Sequence, residues 1–314
     1  MSMPVIRATL AAALLLFVAG CEKKPAEAPA AAAAVEVGTP DAAIRRSAEL
    51  LKQGDIAGFM QNSLPPEEFA RAKADWTRDA NAKPITEEDR KRFADTMEKL
   101  TAPGAEQKLF AELEPQLKQF DATYQQQVPM YVAMGSAWLQ GMVQQSTELS
   151  DTAKQQALAA INALANWVQK TRFTDPESVR KVIAIAVRAA REVNLKTLDE
   201  ARALTFDQSM QKARIAFLAF KEALAVYGFS LDAMLDSVKP DVLSNDGKTA
   251  RVKVDYTLLD TPLSMETEMV AIDGRWYGKE AIEQVEKDRA EAAAAKAPAT
   301  EPAPPAPAPP PPQG

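Results

Sequence analysis

The residues with the most direct chemistry in this sequence are two serine–lysine pairs. Ser178 stands three positions before Lys181, and Ser209 stands three positions before Lys212. On a helix this spacing places a hydroxyl and an amine on one face, where the lysine could activate the serine for acyl transfer. The Lys-Thr-Ala at 248–250 lacks the final glycine of the matching strand motif. A serine–lysine hydrolase is therefore kept only as an alternative.

Paired carboxylates are the second candidate for acid–base chemistry. Glu67-Glu68 and Glu87-Glu88-Asp89 fall where we expect first turns of helices, a position in which acids stabilise the helix dipole. Glu266 and Glu268 fall on the solvated face of a predicted strand. A catalytic pair needs an apolar pocket that separates the two pKa values, and the sequence gives no sign of one. We therefore predict no catalytic residue.

Composition excludes several other classes of site. The 314 residues include no histidine and one cysteine, Cys21. Histidine-dependent triads, HExxH zinc sites, internal disulfides and thiolate metal clusters are thereby excluded. Glycine-rich nucleotide motifs and calcium loops are also missing from the sequence, so we predict no metal and no cofactor. The net charge of −6 disfavours nucleic acid as a partner.

The most unusual stretch carries no charge over 26 residues, from Ala122 to Thr147. Within it Met130, Met134, Trp138 and Met142 recur every fourth residue, so on a helix they form one slowly rotating stripe. Gly135 and Gly141 flank this stripe. Core packing is the simpler interpretation. The alternative is an adaptable apolar surface for a lipid, a small ligand or a partner helix, because methionine repacks readily.

The N-terminus predicts the compartment. Arg7 precedes an apolar run, Ala8–Ala19, which is too short to span a membrane but suits a secretory signal peptide. The following Val18-Ala19-Gly20-Cys21 resembles the lipobox of bacterial lipoproteins. That resemblance implies that Cys21 is lipidated and becomes the mature N-terminus. Glu22, where aspartate would imply inner-membrane retention, implies an outer-membrane anchor facing the periplasm.

Composition divides the chain into four parts. We predict a signal peptide at 1–20, the lipidated Cys21 with a flexible linker at 21–39, one domain at 40–288 and an Ala/Pro-rich tail at 289–314. Most of the domain shows helical periodicity. Thr86 with Asp89 resembles a capping box, and Asp175 is predicted to cap a later helix. The segment 104–146 is predicted to be helical with interruptions at Pro115 and Pro129. The sequence VIAIAVRAA at 182–190 predicts a buried central helix.

Near the C-terminus the apolar pattern changes to a period of two, which is typical of strands. Residues 250–258 alternate, and a four-residue loop at 259–262 would pair Met265 with Tyr256, Met269 with Val252 and Glu268 with Lys253. Asp273-Gly274 predicts a tight hairpin turn that places Trp276 opposite Ala271. A short strand around 241–243 is predicted to precede these. Together these patterns predict a predominantly helical α+β domain with a small antiparallel sheet of three or four strands.

Both ends of this domain resemble one superfamily. TPDAAIRRSAELLKQGDIAGFM at 39–60, and TARVKVDYTLL with METEMVAIDGRWYGKE near the C-terminus, are similar to the nuclear-transport-factor-like (cystatin-like) α+β lipoproteins. The resemblance implies a curved sheet with hairpins at about 240–279 and a long helical insertion at about 65–238. The superfamily includes enzymes and binding proteins, and none of its catalytic residues can be placed on this sequence.

These observations favour a membrane-anchored periplasmic lipoprotein with a non-enzymatic binding or scaffolding role in the cell envelope. Its partners would be the membrane, through the lipid on Cys21, and an envelope protein that the sequence does not identify. The alternative is a carrier of an apolar small ligand or lipid, with Met130, Met134, Trp138 and Met142 lining the binding site. The hydrolase remains the third possibility.

Overall fold

The computed structural model describes residues 38–80, 84–147 and 149–296. The predicted signal peptide, Cys21, most of the predicted linker and the chain from 297 onward lie outside these ranges. The described part is mostly helical and ends in a four-stranded antiparallel sheet followed by one more helix. The predicted fold class is confirmed.

Ten helices precede the sheet in the described ranges. They are α1 (Pro40–Gln53), α2 (Ile56–Ser63), α3 (Pro66–Ala80), α4 (Glu87–Thr101), α5 (Ala105–Gln145), α6 (Asp151–Lys170), α7 (Pro176–Val193), α8 (Leu198–Ala203), α9 (Phe206–Val226) and α10 (Leu231–Asp236). The strands are β1 (Lys239–Asn245), β2 (Thr249–Leu258), β3 (Thr261–Ile272) and β4 (Arg275–Gly278), and α11 (Lys279–Lys296) follows. The boundary predicted at 288 falls inside α11.

Side-chain caps define where many of these helices begin. Thr86 and Asp89 form a reciprocal capping box at α4, as the sequence predicts. Ser150 accepts from the backbone of Ala153 at α6, and Asp175 accepts from Ser178 at α7. Each cap satisfies an otherwise unpaired backbone N–H and stabilises its helix by about 0.5–2 kcal/mol.

The end of α1 is fastened to α9 by a close approach and by a buried cation. Gly54 ends α1 in the left-handed conformation, with φ of 70°, and a Cβ there would lie 3.0 Å from the Leu218 side chain. Lys221 is buried, donates to the Lys52 carbonyl at 2.5 Å and pairs with Asp232. Glycine at 54 is therefore required both by the backbone conformation and by the packing.

The longest helix, α5, corrects one prediction. It runs unbroken for 41 residues with Pro115 and Pro129 inside it, which makes it roughly 60 Å long. A proline removes one N–H donor and crowds the carbonyl four residues earlier. Both prolines lie on the exposed side of α5, where water can satisfy the carbonyls that lose a partner. Packing against α4, α6 and α7 holds the helix through both positions, so the predicted interruptions are wrong.

The sheet has the order β1-β2-β3-β4, and all pairs are antiparallel. Leu259 and Asp260, with φ of 49° and 64°, form a two-residue turn, so Tyr256 pairs with Leu263 and Val254 with Met265. The predicted four-residue loop and its register are therefore wrong by two residues. A slip of two keeps every side chain on its face, so the hydrophobic pattern could not detect it.

The other strand predictions are confirmed. Asp273 and Gly274 make a tight turn with positive φ at both residues, and Trp276 lies opposite Ala271. The predicted short strand is β1, an edge strand that contains Pro240 and a bulge between Val242 and Ser244. The bulge interrupts the regular pairing of β1 with β2.

Two of the four hydrophobic clusters in the described residues position the sheet and α5. One packs α1 onto the sheet around Val252, Val254 and Trp276. The other joins α5 to α7 around Phe110, Ile183 and Val187. The segment VIAIAVRAA lies in α7, which packs against α4, α5 and α9. It is not buried on every side, since its alanines at 184 and 186 are exposed, so that part of the prediction is wrong.

Candidate docking surface

The uncharged half of α5 lies against α6, and α6 in turn packs on the sheet. The backbone N–H of Ser264 in β3 donates to the Gln156 side chain at 2.8 Å. Ala163 packs with Leu258 and Leu263, and the Trp167 indole donates to the Tyr227 carbonyl at 2.8 Å. One side of α6 is thereby fixed to the protein body, and its other side supports α5.

A partly exposed polar network fastens the middle of α5. Asp121 accepts from the Arg172 guanidinium at 3.1 Å and from the Thr174 hydroxyl at 2.6 Å, and Thr174 is buried. These hydrogen bonds, with that from Arg172 the strongest influence, lower the pKa of Asp121 below its ordinary value. The carboxylate form therefore joins α5 to the loop between α6 and α7 at the point where the uncharged segment begins.

One row of side chains in the uncharged half faces α6. The row follows every fourth residue and is partly buried throughout: Val128, Val132, Ser136 and Gln140. Gln140 donates to Asn162 of α6 at 3.0 Å. Residues four apart form continuous ridges along a helix, so this ridge is the contact surface of α5 with α6.

A second row carries the predicted methionine stripe and lies on the outside. Met130 is 57% exposed, Met134 63%, Trp138 65% and Met142 55%. Their interpretation as core residues is wrong, because a four-residue period shows only that side chains share a face and not what covers that face. We call this row the methionine ridge.

Two further rows beside the methionine ridge are also uncovered. Ala133 and Ala137 are exposed and Gly141 is partly buried, which gives a row of small residues along one side. Tyr131 and Leu139 are 54% and 43% exposed on the other side, with Gly135 between them. A Cβ added at Gly135 or Gly141 would meet nothing within 4 Å. The α5 face, as we call the methionine ridge with these two rows, therefore occupies three of the four rows of the helix.

The four-residue period in the sequence marks the methionine ridge but not the rest of the α5 face. That period does not include Tyr131, Ala133, Ala137 and Leu139. Writing residues 128–143 in four columns of every fourth residue gives one column of large residues, one of small residues and two mixed columns. That arrangement is visible in the sequence, but which column is covered depends on the packing of α6.

The serine–lysine pairs do not form in the structure. The Ser178 hydroxyl donates to Asp175 at 2.8 Å within the cap of α7, and the Ser209 hydroxyl accepts from the Trp76 indole at 3.1 Å. Each serine is thus held by a partner other than its predicted lysine. Of the predicted carboxylates, Glu266 pairs with Arg251 and Glu268 with Lys279, both at 2.5 Å.

Two shallow clefts lie elsewhere and neither includes the methionine ridge. One, of about 250 Å³, lies between α6 and the sheet and includes Lys239, Asp255 and Tyr256. Hydrogen bonds from Ser264 and then from Lys253 lower the pKa of Asp255, and burial raises that of Tyr256. The other cleft runs along α4. The four ridge residues line neither cleft and lie on an outer face.

The described residues lack both a metal-ion cluster and a membrane-spanning helix. No cluster of three or more histidine, cysteine, aspartate or glutamate side chains there could hold a metal ion. None of the helices in those residues combines the length and the hydropathy of a membrane span. Cys21, the predicted lipidation site, lies outside the described part of the chain.

Comparisons with known proteins leave the geometry as the main guide to function. No protein-family model matches the chain, and no curated protein or solved structure is significantly similar to it. The resemblances to lipoproteins and to the nuclear-transport-factor-like superfamily therefore stay predictions from the sequence.

Proposed function

We propose that this protein is a lipid-anchored scaffold of the bacterial cell envelope that binds its partner through the α5 face. The observation that carries the proposal is the solvent exposure of Met130, Met134, Trp138 and Met142 on one uncharged helix surface. The predicted lipid on Cys21 would attach the protein to the outer membrane, with the domain in the periplasm.

The chemistry of the α5 face suits protein binding. Contiguous exposed apolar patches of several hundred Å² are uncommon on monomers and mark interaction sites. Trp138 has the side chain most enriched at the energetic centres of interfaces, and methionines adapt to the shape of a partner. A surface of this kind supports a binding role more directly than the serine–lysine or carboxylate alternatives.

The rigid support of the α5 face also favours scaffolding. The Asp121 network, just before the uncharged half, and the Gln140–Asn162 hydrogen bond within it fix α5 at two points. A surface that is already ordered loses little conformational entropy on binding. The predicted linker of 22–38, extended at about 3.3 Å per residue, would let the domain reach up to roughly 55 Å from the membrane.

The proposal is tested by photocrosslinking in intact cells. A photoreactive phenylalanine analogue at position 138 should give an ultraviolet-dependent adduct of higher mass. The same analogue at position 91, an exposed lysine site on α4, should give little or none and is the matched control. The absence of an adduct at 138 under conditions in which the protein is expressed and folded would contradict the docking role.

The anchor is tested separately by replacing the predicted lipidation site. The unmodified chain should fractionate with outer membranes, and the Cys21→Ser chain should lose that association because it lacks the acyl chains that hold it there. Fractionation of both chains with the outer membrane would contradict lipid anchoring through Cys21.

A further inference from the structure

The geometry of the α5 face points to a second copy of this chain as its occupant. We infer a two-fold symmetric dimer in which the two α5 helices pack antiparallel through the methionine ridge and the adjacent row of small residues. This inference rests on the proposed docking role of the α5 face and names the partner for it.

Self-complementarity is the first argument. A two-fold interface uses the same patch on both copies, so the patch must supply both the projecting and the receiving surface. The α5 face does so, because the large residues of the methionine ridge lie directly beside Ala133, Ala137 and Gly141. A two-fold rotation places the ridge of each copy over the small row of the other.

Helix geometry then specifies the arrangement. Ridges of every fourth residue that fit into grooves of the same kind cross at an angle of about −50°. The small row is centred on Ala137, so the two-fold axis passes close to that residue. A small side chain at the crossing point lets the two backbones approach to the 8–10 Å typical of packed helices.

The exposed area agrees with the needs of a dimer. The four side chains of the methionine ridge are between 55% and 65% exposed. They offer on the order of 500 Å² of largely apolar surface, against the ~800 Å² per partner that a standard stable interface buries. Contacts made by the neighbouring rows supply the rest of the area that a stable interface buries.

Charge supplies the third argument. Each copy has a net charge of −6, yet residues 122–147 contain no charged side chain. Two copies that meet through the α5 face bring no like charges into direct contact, which would otherwise cost affinity. The first half of α5, by contrast, carries Glu106, Lys108, Glu112, Glu114 and Lys118.

The test measures the mass in solution of the mature chain without its lipid, residues 22–314, by sedimentation equilibrium. The unmodified chain should form a dimer at micromolar concentration. Ala137→Glu should weaken the dimer at least tenfold, because it places two carboxylates at the two-fold axis. Ala111→Glu changes an exposed alanine of the same helix outside the α5 face and should leave the dimer unchanged.

A charge-pairing experiment identifies the second copy specifically. Ala137→Glu and Ala137→Lys chains should each be monomeric, and an equimolar mixture should recover dimers that contain one copy of each. Unchanged circular dichroism, and thermal midpoints equal to that of the original chain at concentrations where all three chains are monomeric, would show that both variants remain folded, as the exposure of Ala137 implies. Only proximity of position 137 to its own symmetry mate predicts this recovery.

Three outcomes would overturn the inference: a monomeric unmodified chain at about 100 µM, dimers of Ala137→Glu as stable as the original, or no recovery in the mixture. The proposed function fails by a different result. If the chain is monomeric but position 138 crosslinks to another protein in cells, the docking role stands and the second copy is wrong. Binding of the monomer to vesicles of zwitterionic lipid would assign the α5 face to the membrane.

Discussion

The two halves of α5 belong to one helix but meet opposite surroundings. In the first half Phe110 is buried against α7, with the Arg180 guanidinium 3.9 Å from its ring centre, and Glu106 pairs with Arg191 at 2.8 Å. The second half carries no charge and exposes Trp138. The half with charged residues thus contributes the buried Ala105 and Phe110, whereas the described residues of the half without them include no buried one. Hydropathy alone therefore does not indicate burial, because the neighbouring elements decide which rows are covered.

The largest expected effect contrasts an aromatic residue from each half. Phe110→Ala should lower the free energy of unfolding by about 3 kcal/mol, because it leaves a cavity against Ile183 and Val187. Trp138→Ala should change it by less than about 0.5 kcal/mol, because its side chain is mostly in water. Urea unfolding at a protein concentration below the dissociation constant of the proposed dimer measures both. Equal losses of unfolding free energy in the two variants would show that Trp138 is covered in the monomer, and the contrast between the two halves of α5 would not hold.

A smaller effect is expected at the junction between the halves. Hydrogen bonds from Arg172 and Thr174 lower the pKa of Asp121 in the folded state. A carboxyl group with a lowered folded pKa stabilises the protein above its unfolded pKa, and this contribution is lost as the pH falls through the folded pKa. Asp121→Asn should therefore be less stable than the original chain at pH 7, and the difference should shrink below about pH 4.

The control for that experiment is Asp95→Asn, since Asp95 pairs only locally with Lys91 one turn away in α4. An exposed pair of this kind contributes little, so its urea midpoint should follow that of the original chain at every pH. A constant difference between Asp121→Asn and the original chain from pH 7 to pH 3 would show that the carboxylate does not fasten the junction.

The smallest effect tests the solvent exposure of the second half of α5. Gly135→Ala should stabilise the protein by about 0.5–1 kcal/mol, because alanine favours a helix and its Cβ would meet nothing. Gly54→Ala should destabilise it, because Gly54 has φ of 70° and lies against Leu218. Thermal midpoints of the two variants measure this contrast. A lower midpoint for Gly135→Ala would mean that another part of the chain covers the α5 face.

Local chemistry made much of the fold predictable from the sequence. The Thr86–Asp89 capping box, the Asp175 cap and the Asp273-Gly274 turn each depend on a few adjacent residues, and each forms as predicted. The alternation in β2 correctly separated the two faces of the sheet. These features needed no knowledge of which elements pack together.

The errors concern information that adjacent residues do not carry. Leu259 and Asp260 turn the chain with positive φ although leucine is not a typical turn residue, so the β2–β3 register was placed two residues off. Pro129 stays inside α5 because packing on α6 holds the helix on both sides of it. The period of the methionine ridge was evident, but its exposure depends on α6 covering a different row.

The edge strand β1 has a consequence for how copies of this protein can associate. Pro240 has no N–H to donate, and the bulge between Val242 and Ser244 breaks the spacing of the ladder. An incoming strand therefore cannot add along the full edge, which protects the sheet against open-ended fibre growth. Association through a two-fold helix contact stops at two molecules, whereas edge pairing could continue indefinitely. With the proposed lipid anchor and the proposed dimer, crowding on a membrane surface would then yield closed pairs instead of aggregates.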